Sequence, residues 1–98
     1  MNEIVSNYMR TDVDDVRWSK ARRAIMESRC GVAVDEAATG RDDVLQVIRA
    51  LYRTEDRVEE WMAYDLPVIG GVSANTLYET LNEEDATRVL KKVIMSMP

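Results

Sequence analysis

The sequence predicts an all-α fold, a small bundle of five or six helices, and three observations carry that prediction. Apolar residues recur at a period near 3.6 along almost the whole chain. Capping residues and acids stand where those periods begin. The one β-branched cluster outside a helical period, Val32 to Val34, is too short to build a sheet. A length of 98 residues allows a single domain, taken as 1–98.

Asp12 is placed to cap a first helix whose opening turn holds Asp14 and Asp15, acids where the helix dipole favours them. Trp18, Ala21 and Ile25 share one face of it, with Lys20 and Arg23 opposite. Gly31 supplies the stop. One short helical turn fits Val34 to Ala38, ended by Thr39-Gly40. The next helix starts at Asp42 or Asp43 and carries Val44, Leu45, Val47, Ile48, Leu51 and Tyr52, a density that reads as central and well buried. Thr54 caps a helix holding Val58, Trp61 and Met62. Pro67 and Gly70-Gly71 then break the period, so residues 64–72 form a loop. Ser73 caps a short helix with Leu77 and Leu81. Asn82, with Asp85 three residues on, opens a last helix carrying Ala86, Val89, Leu90, Val93, Ile94 and Met97. The expected core comprises Trp18, Val44, Ile48, Leu51, Trp61, Leu77, Leu81, Leu90 and Val93.

Composition narrows function by exclusion. The chain has no histidine, which removes Ser-His-Asp and Cys-His catalysis and imidazole zinc sites. Its one cysteine, Cys30, cannot form an internal disulfide and reads as a small packed residue. No apolar run reaches the roughly 18 residues of a membrane span, and no signal-peptide core is visible. The expectation is a cytoplasmic protein with no membrane partner, no cofactor and no metal. A net charge of −5 argues against nucleic acid as a partner of the isolated chain. Residues 1–52 hold 8 basic and 9 acidic side chains, whereas residues 53–98 hold 5 and 9, so the second half carries the negative charge.

The candidate chemistry is sparse. Asp12, Asp14 and Asp15 lack the alternating oxygen ligands, central glycine and distal Glu of a calcium loop; a helix start explains them, as it explains Glu83, Glu84 and Asp85. Arg17, Lys20, Arg22, Arg23 and Arg29 form the one basic cluster, read as a solvated helix face partly balanced by Glu27. The element after Gly31 holds Asp35 and Glu36 and no cation, which a recognition helix lying on phosphates would need, so residues 1–41 form a helical extension without a complete helix-turn-helix. Gly70-Gly71 lacks the strand, further glycines and lysine of a phosphate loop. No acid–base pair with a pKa rationale appears, and the chain is not expected to be an enzyme.

The stretch from Trp61 is more specific. It reads Trp-Met-Ala-Tyr-Asp-Leu-Pro-Val-Ile-Gly-Gly-Val-Ser-Ala-Asn-Thr-Leu, with Arg88-Val89-Leu90 later in an apolar helix. Over residues 42–97 this resembles the toxin-binding domain of the Xre/MbcA/ParS antitoxin family: Trp61, Met62, Gly70, Gly71 and Leu77 fall at the family's spacing. Asp65 stands where proline is usual, with Pro67 two residues on, and Ala74 stands where a second proline is common. The resemblance implies an antitoxin-like protein-binding module that inhibits its partner, a RES-type or related NAD-using toxin, by covering its active-site entrance.

The residues support a protein contact in the same half. Leu66, Val68 and Ile69 are apolar in a connection that is normally polar. Together with Tyr64, Gly70 and Gly71 they form the expected contact loop; packing into the bundle is the competing account of the same residues. Lys91 and Lys92 are expected on the polar side of the last helix, and the adaptable Met95 and Met97 near its end, completing the partner-binding set. Two rival readings share this profile: a phage or mobile-element inhibitor of another host protein, and a small DNA-binding transcriptional regulator. Self-association into a homo-oligomer stays open.

Overall fold

Helix α6, Glu83–Met95, is the strut around which the chain is arranged, and α3, Gly40–Tyr52, lies along it. The computed structural model describes residues 3–10, 15–30 and 37–96. Within these, α1 (Glu3–Arg10) packs on α6 and α2 (Asp15–Cys30) on both α3 and α6. The helices α4 (Glu55–Ala63) and α5 (Ala74–Thr80) close the other side. The described residues thus hold six α-helices, the all-α bundle the sequence predicts. None of these helices is long and apolar enough to cross a membrane.

Local chemistry sets most boundaries. Thr54, Ser73 and Asn82 each cap the helix that follows, accepting a hydrogen bond from the backbone N–H three residues on. α3 begins at Gly40, two residues earlier than the acids suggest, and Gly40 takes a φ of +60° that a side chain disfavours. It ends at Arg53, a non-glycine residue in the left-handed region (φ +66°), whose N–H bonds to the Arg49 carbonyl. The proposed Asp12 cap with Asp14, the Gly31 stop, the Val32–Val34 cluster, most of the turn at 34–38, and Met97 lie outside the described residues.

The core joins both halves: Val5, Val44, Val47, Ile48, Ile69, Leu77, Val89 and Leu90 are fully buried. Of the expected core, Leu51 and Leu81 are only partly buried and pack against it. Helix α1 was not read from the sequence; its single buried residue, Val5, reaches the core, and Lys92 on α6 donates to its Tyr8 carbonyl.

Residues 64–72 are more ordered than a loop. β1 (Asp65–Leu66) pairs antiparallel with β2 (Val72–Ser73), Asp65 opposite Ser73 and Leu66 opposite Val72. Between them Pro67–Ile69 makes a single 3-10 turn. Gly70 and Gly71, both with φ near +80°, bring the chain back: Gly70 N–H donates to Pro67 O and Gly71 N–H to Leu66 O. The glycine pair is a conformational requirement of this reversal rather than a source of looseness.

Candidate functional site

The hairpin sorts the apolar residues of the expected contact loop into two sets. Ile69 is fully buried and Leu66 nearly so, whereas Val68 is 47% and Tyr64 60% exposed. A 3-10 turn sends successive side chains in different directions, so Ile69 anchors the hairpin while Val68 faces outward. Of the expected contact residues, Ile69 is therefore a core residue and not a partner contact.

Beside the hairpin lies a mostly apolar groove of about 520 Å³. Arg57, Glu60 and Trp61, at i, i+3 and i+4 on one face of α4, and Tyr64, the extended residue that follows the helix, supply one wall. Leu66 and Val68 of the hairpin form a second wall, and Val93 and Ser96 of α6 with Tyr52 of α3 form the floor and far rim. Three aromatic rings thus surround a concavity whose polar groups sit at its edge, a composition suited to holding an apolar side chain of another molecule.

Of the sequence-predicted site residues, the groove brings together Tyr64, Leu66 and Val68, with Gly70 and Gly71 in the adjoining turn. Lys91 and Lys92 do not join it. Lys92 is engaged by the Tyr8 carbonyl of α1. Lys91 is drawn into a buried charged cluster against α2 and α3, so neither stands on a free polar face. Met95 is half-buried against the core. Sequence reasoning missed Tyr52, Arg57, Glu60 and Ser96; the signal for the α4 members was the helical spacing from Arg57 to Trp61, which leaves polar residues beside Trp61.

The charged cluster is the second unexpected feature. Asp43, buried on α3, sits between two cations: its Oδ1 is 2.9 Å from Arg22 Nε and its Oδ2 is 3.0 Å from Lys91 Nζ. Trp18 Nε1 donates to the same Oδ2 at 3.1 Å, and Lys91 lies 5.4 Å from the Trp18 ring centroid. Arg22 also donates to Gln46 Oε1 at 2.6 Å. The buried stripe of α2 is Trp18, Arg22, Met26 rather than Trp18, Ala21, Ile25, a spacing of four in place of three. This removes Arg22 from the exposed basic cluster, and Arg23 faces Glu27 at 4.0 Å, so the cationic face is smaller than the sequence suggests.

A polar groove of about 640 Å³ lies nearby, where Asp15, Glu83 and Glu84 meet Arg88 and Lys91. Its charges largely answer one another, Arg88 facing Glu84 at 3.6 Å and Lys91 facing Asp43. Among the described residues no group of His, Cys, Asp and Glu is arranged to hold a metal ion. At its margin Tyr78 bonds Thr87 Oγ1 at 2.8 Å beneath the Arg41 guanidinium. Burial raises the Tyr78 phenol above its ordinary pKa of 10.0, and the Thr87 bond and Arg41 oppose that rise.

Comparison of the chain with protein-family models, with curated proteins and with solved structures gives no match.

Proposed function

We propose that this protein is a binding module that inhibits a protein partner, of the antitoxin kind, with the groove between α4, the hairpin and the end of α6 as its contact. The observation that carries the reading is the exposure of Tyr64 and Val68 at the lip of an apolar concavity floored by Trp61 and Val93. Exposed aromatic and aliphatic groups around a pocket are the usual energetic centre of a protein interface. The order of elements from α3 onward also favours the antitoxin form of the reading: a helix pair, a turn with Gly70-Gly71, a short helix with Leu77 and a final amphipathic helix. That is the order implied by the resemblance over residues 42–97. In this reading the partner is a RES-type or related NAD-using toxin, whose active-site entrance the module covers.

The test co-expresses the tagged chain with a RES-type NAD-consuming toxin, and with the product of the gene next to its own, measuring co-purification and NAD consumption. The expected result is a stable complex in which NAD consumption stops, and its loss in Val68→Glu. Undiminished NAD consumption at a several-fold excess of folded chain overturns the antitoxin reading.

A further inference from the structure

The aromatic groove carries charge information that narrows its occupant. Three helices end around it: α3 at Tyr52, α4 at Ala63 and α6 at Met95, with Tyr52, Tyr64 and Ser96 all in its wall. Helix C-termini present the negative end of the peptide dipoles and are ordinarily matched by Lys, Arg or His in the last turn. Helix α4 has no basic residue in its last turn and instead carries Glu60 there, against the sense of its dipole. Glu60 is exposed, lines the groove, and has no hydrogen-bond or ion-pair partner among the described residues. At the end of α6 the one basic residue of the last turn, Lys92, is turned to the Tyr8 carbonyl. Arg57 is the single cation in the wall, one turn nearer the start of α4.

From this we infer that the groove docks a cationic amphipathic segment of a protein partner. One of the segment's apolar side chains fills the space between Trp61, Leu66 and Val93. A Lys or Arg one helical turn away meets Glu60 and the carbonyl end of α4, over the Tyr64 ring. Such a contact supplies the charge that α4 lacks and adds a cation–aromatic attraction that an acidic or neutral segment cannot make. The inference rests on the protein-binding reading of the groove but not on the identity of the partner.

The test uses three amidated 14-residue helical peptides with the same Leu/Trp face and a polar face of Lys/Arg, Gln or Glu. Binding is followed by amide NMR shifts of the 98-residue chain. The expected order is the Lys/Arg peptide at about 10–100 μM, the Gln peptide at least about fivefold weaker and the Glu peptide undetected. Shifts should centre on Trp61, Tyr64, Val68 and Ser96. Glu60→Lys should weaken the basic peptide about five- to tenfold, whereas Glu79→Lys, the same change of net charge on α5, should weaken it less than twofold. Val68→Asn and Tyr64→Ala should each weaken it more than about tenfold. Equal effects of Glu60→Lys and Glu79→Lys would mean attraction to bulk charge and overturn the inference. So would a basic peptide that fails to bind, or binds regardless of Val68→Asn. If the Gln peptide binds as tightly as the basic one, and only when Val68 is intact, the cationic occupant is wrong while the groove remains a protein-docking site.

Discussion

Replacing Asp43 by Ala tests whether the buried charged cluster is a connected unit or a set of independent contacts. Asp43 is one carboxylate that faces two cations, Arg22 at 2.9 Å and Lys91 at 3.0 Å, and accepts a hydrogen bond from the Trp18 indole at 3.1 Å. Its removal does not burden the three equally. The Lys91 side chain is 19% exposed and keeps its place over the Trp18 ring, so water can take over much of its solvation. The Arg22 side chain is 7% exposed, and the change takes away the carboxylate 2.9 Å from its Nε while leaving its bond to Gln46 Oε1. Breaking a buried pair in this way costs about 3–5 kcal/mol. Loss of the acceptor for Trp18 adds about 1 kcal/mol. A domain of this size has about 5–15 kcal/mol in total, so Asp43→Ala should lose from about a quarter of its stability to all of it. Urea unfolding followed by circular dichroism reads the loss directly. The complementary variant, Arg22→Met with Asp43→Leu and Lys91→Met, removes all the charge and should recover to within about 2 kcal/mol of the parent. A loss below about 1 kcal/mol for Asp43→Ala would refute the argument, because it would mean the cluster is solvated in the folded chain.

Other expectations follow from single positions. Val68→Glu should melt within a few degrees of the parent, whereas Ile69→Glu next to it should lose about 3 kcal/mol or more by burying a charge, both read by thermal denaturation. Gly40→Ala should cost about 1 kcal/mol in urea unfolding from its φ of +60°; the exposed Glu83 carboxylate, 2.4 Å from the added Cβ, can swing aside, so the cost should be about the same in a Glu83→Ala background. The raised Tyr78 pKa links folding to alkaline pH. Below pH 10 the phenol is neutral in both folded and unfolded chains, and above it the unfolded chain ionises first. The stabilising contribution should therefore be lost as pH rises through the folded-state value, and one of the four tyrosines should titrate late in ultraviolet absorbance. Simultaneous titration of all four in the folded protein would refute it.

What the sequence made legible is what periodicity and caps encode. Thr54, Ser73 and Asn82 open helices because each stands alone before an apolar period, and Val44, Ile48, Leu77 and Leu90 are buried because their neighbours at three and four residues are apolar too. The charged cluster escaped because a period of 3.6 lets Trp18 be followed by either Ala21 or Arg22. Hydrophobicity favours the first, and only an acid supplied 21 residues later by α3 makes the second possible. Asp42 and Asp43 look alike at a helix start, yet the roughly 100° between consecutive helix residues leaves Asp42 exposed and buries Asp43 against Trp18.

The groove was half legible for the same reason. An apolar run broken by Pro67 announces that something is unusual between residues 64 and 72, but the run cannot say which of its members points inward. The 3-10 turn makes that choice, giving Ile69 to the core and Val68 to the surface. Glu60 carried a stronger signal than its neighbours. An acid in the last turn of a helix with no cation there is locally unfavourable; Glu79 of α5 stands in the same position, but Glu60 is the one that lines the groove. A local conflict of that kind, beside exposed Tyr64 and Val68, marks a place where stability within the chain alone does not account for the residues present. The cation that would resolve it can come from a second molecule, which is why the charge reversal at Glu60, and not the removal of apolar area, is the variant that distinguishes a specific partner from a merely sticky surface.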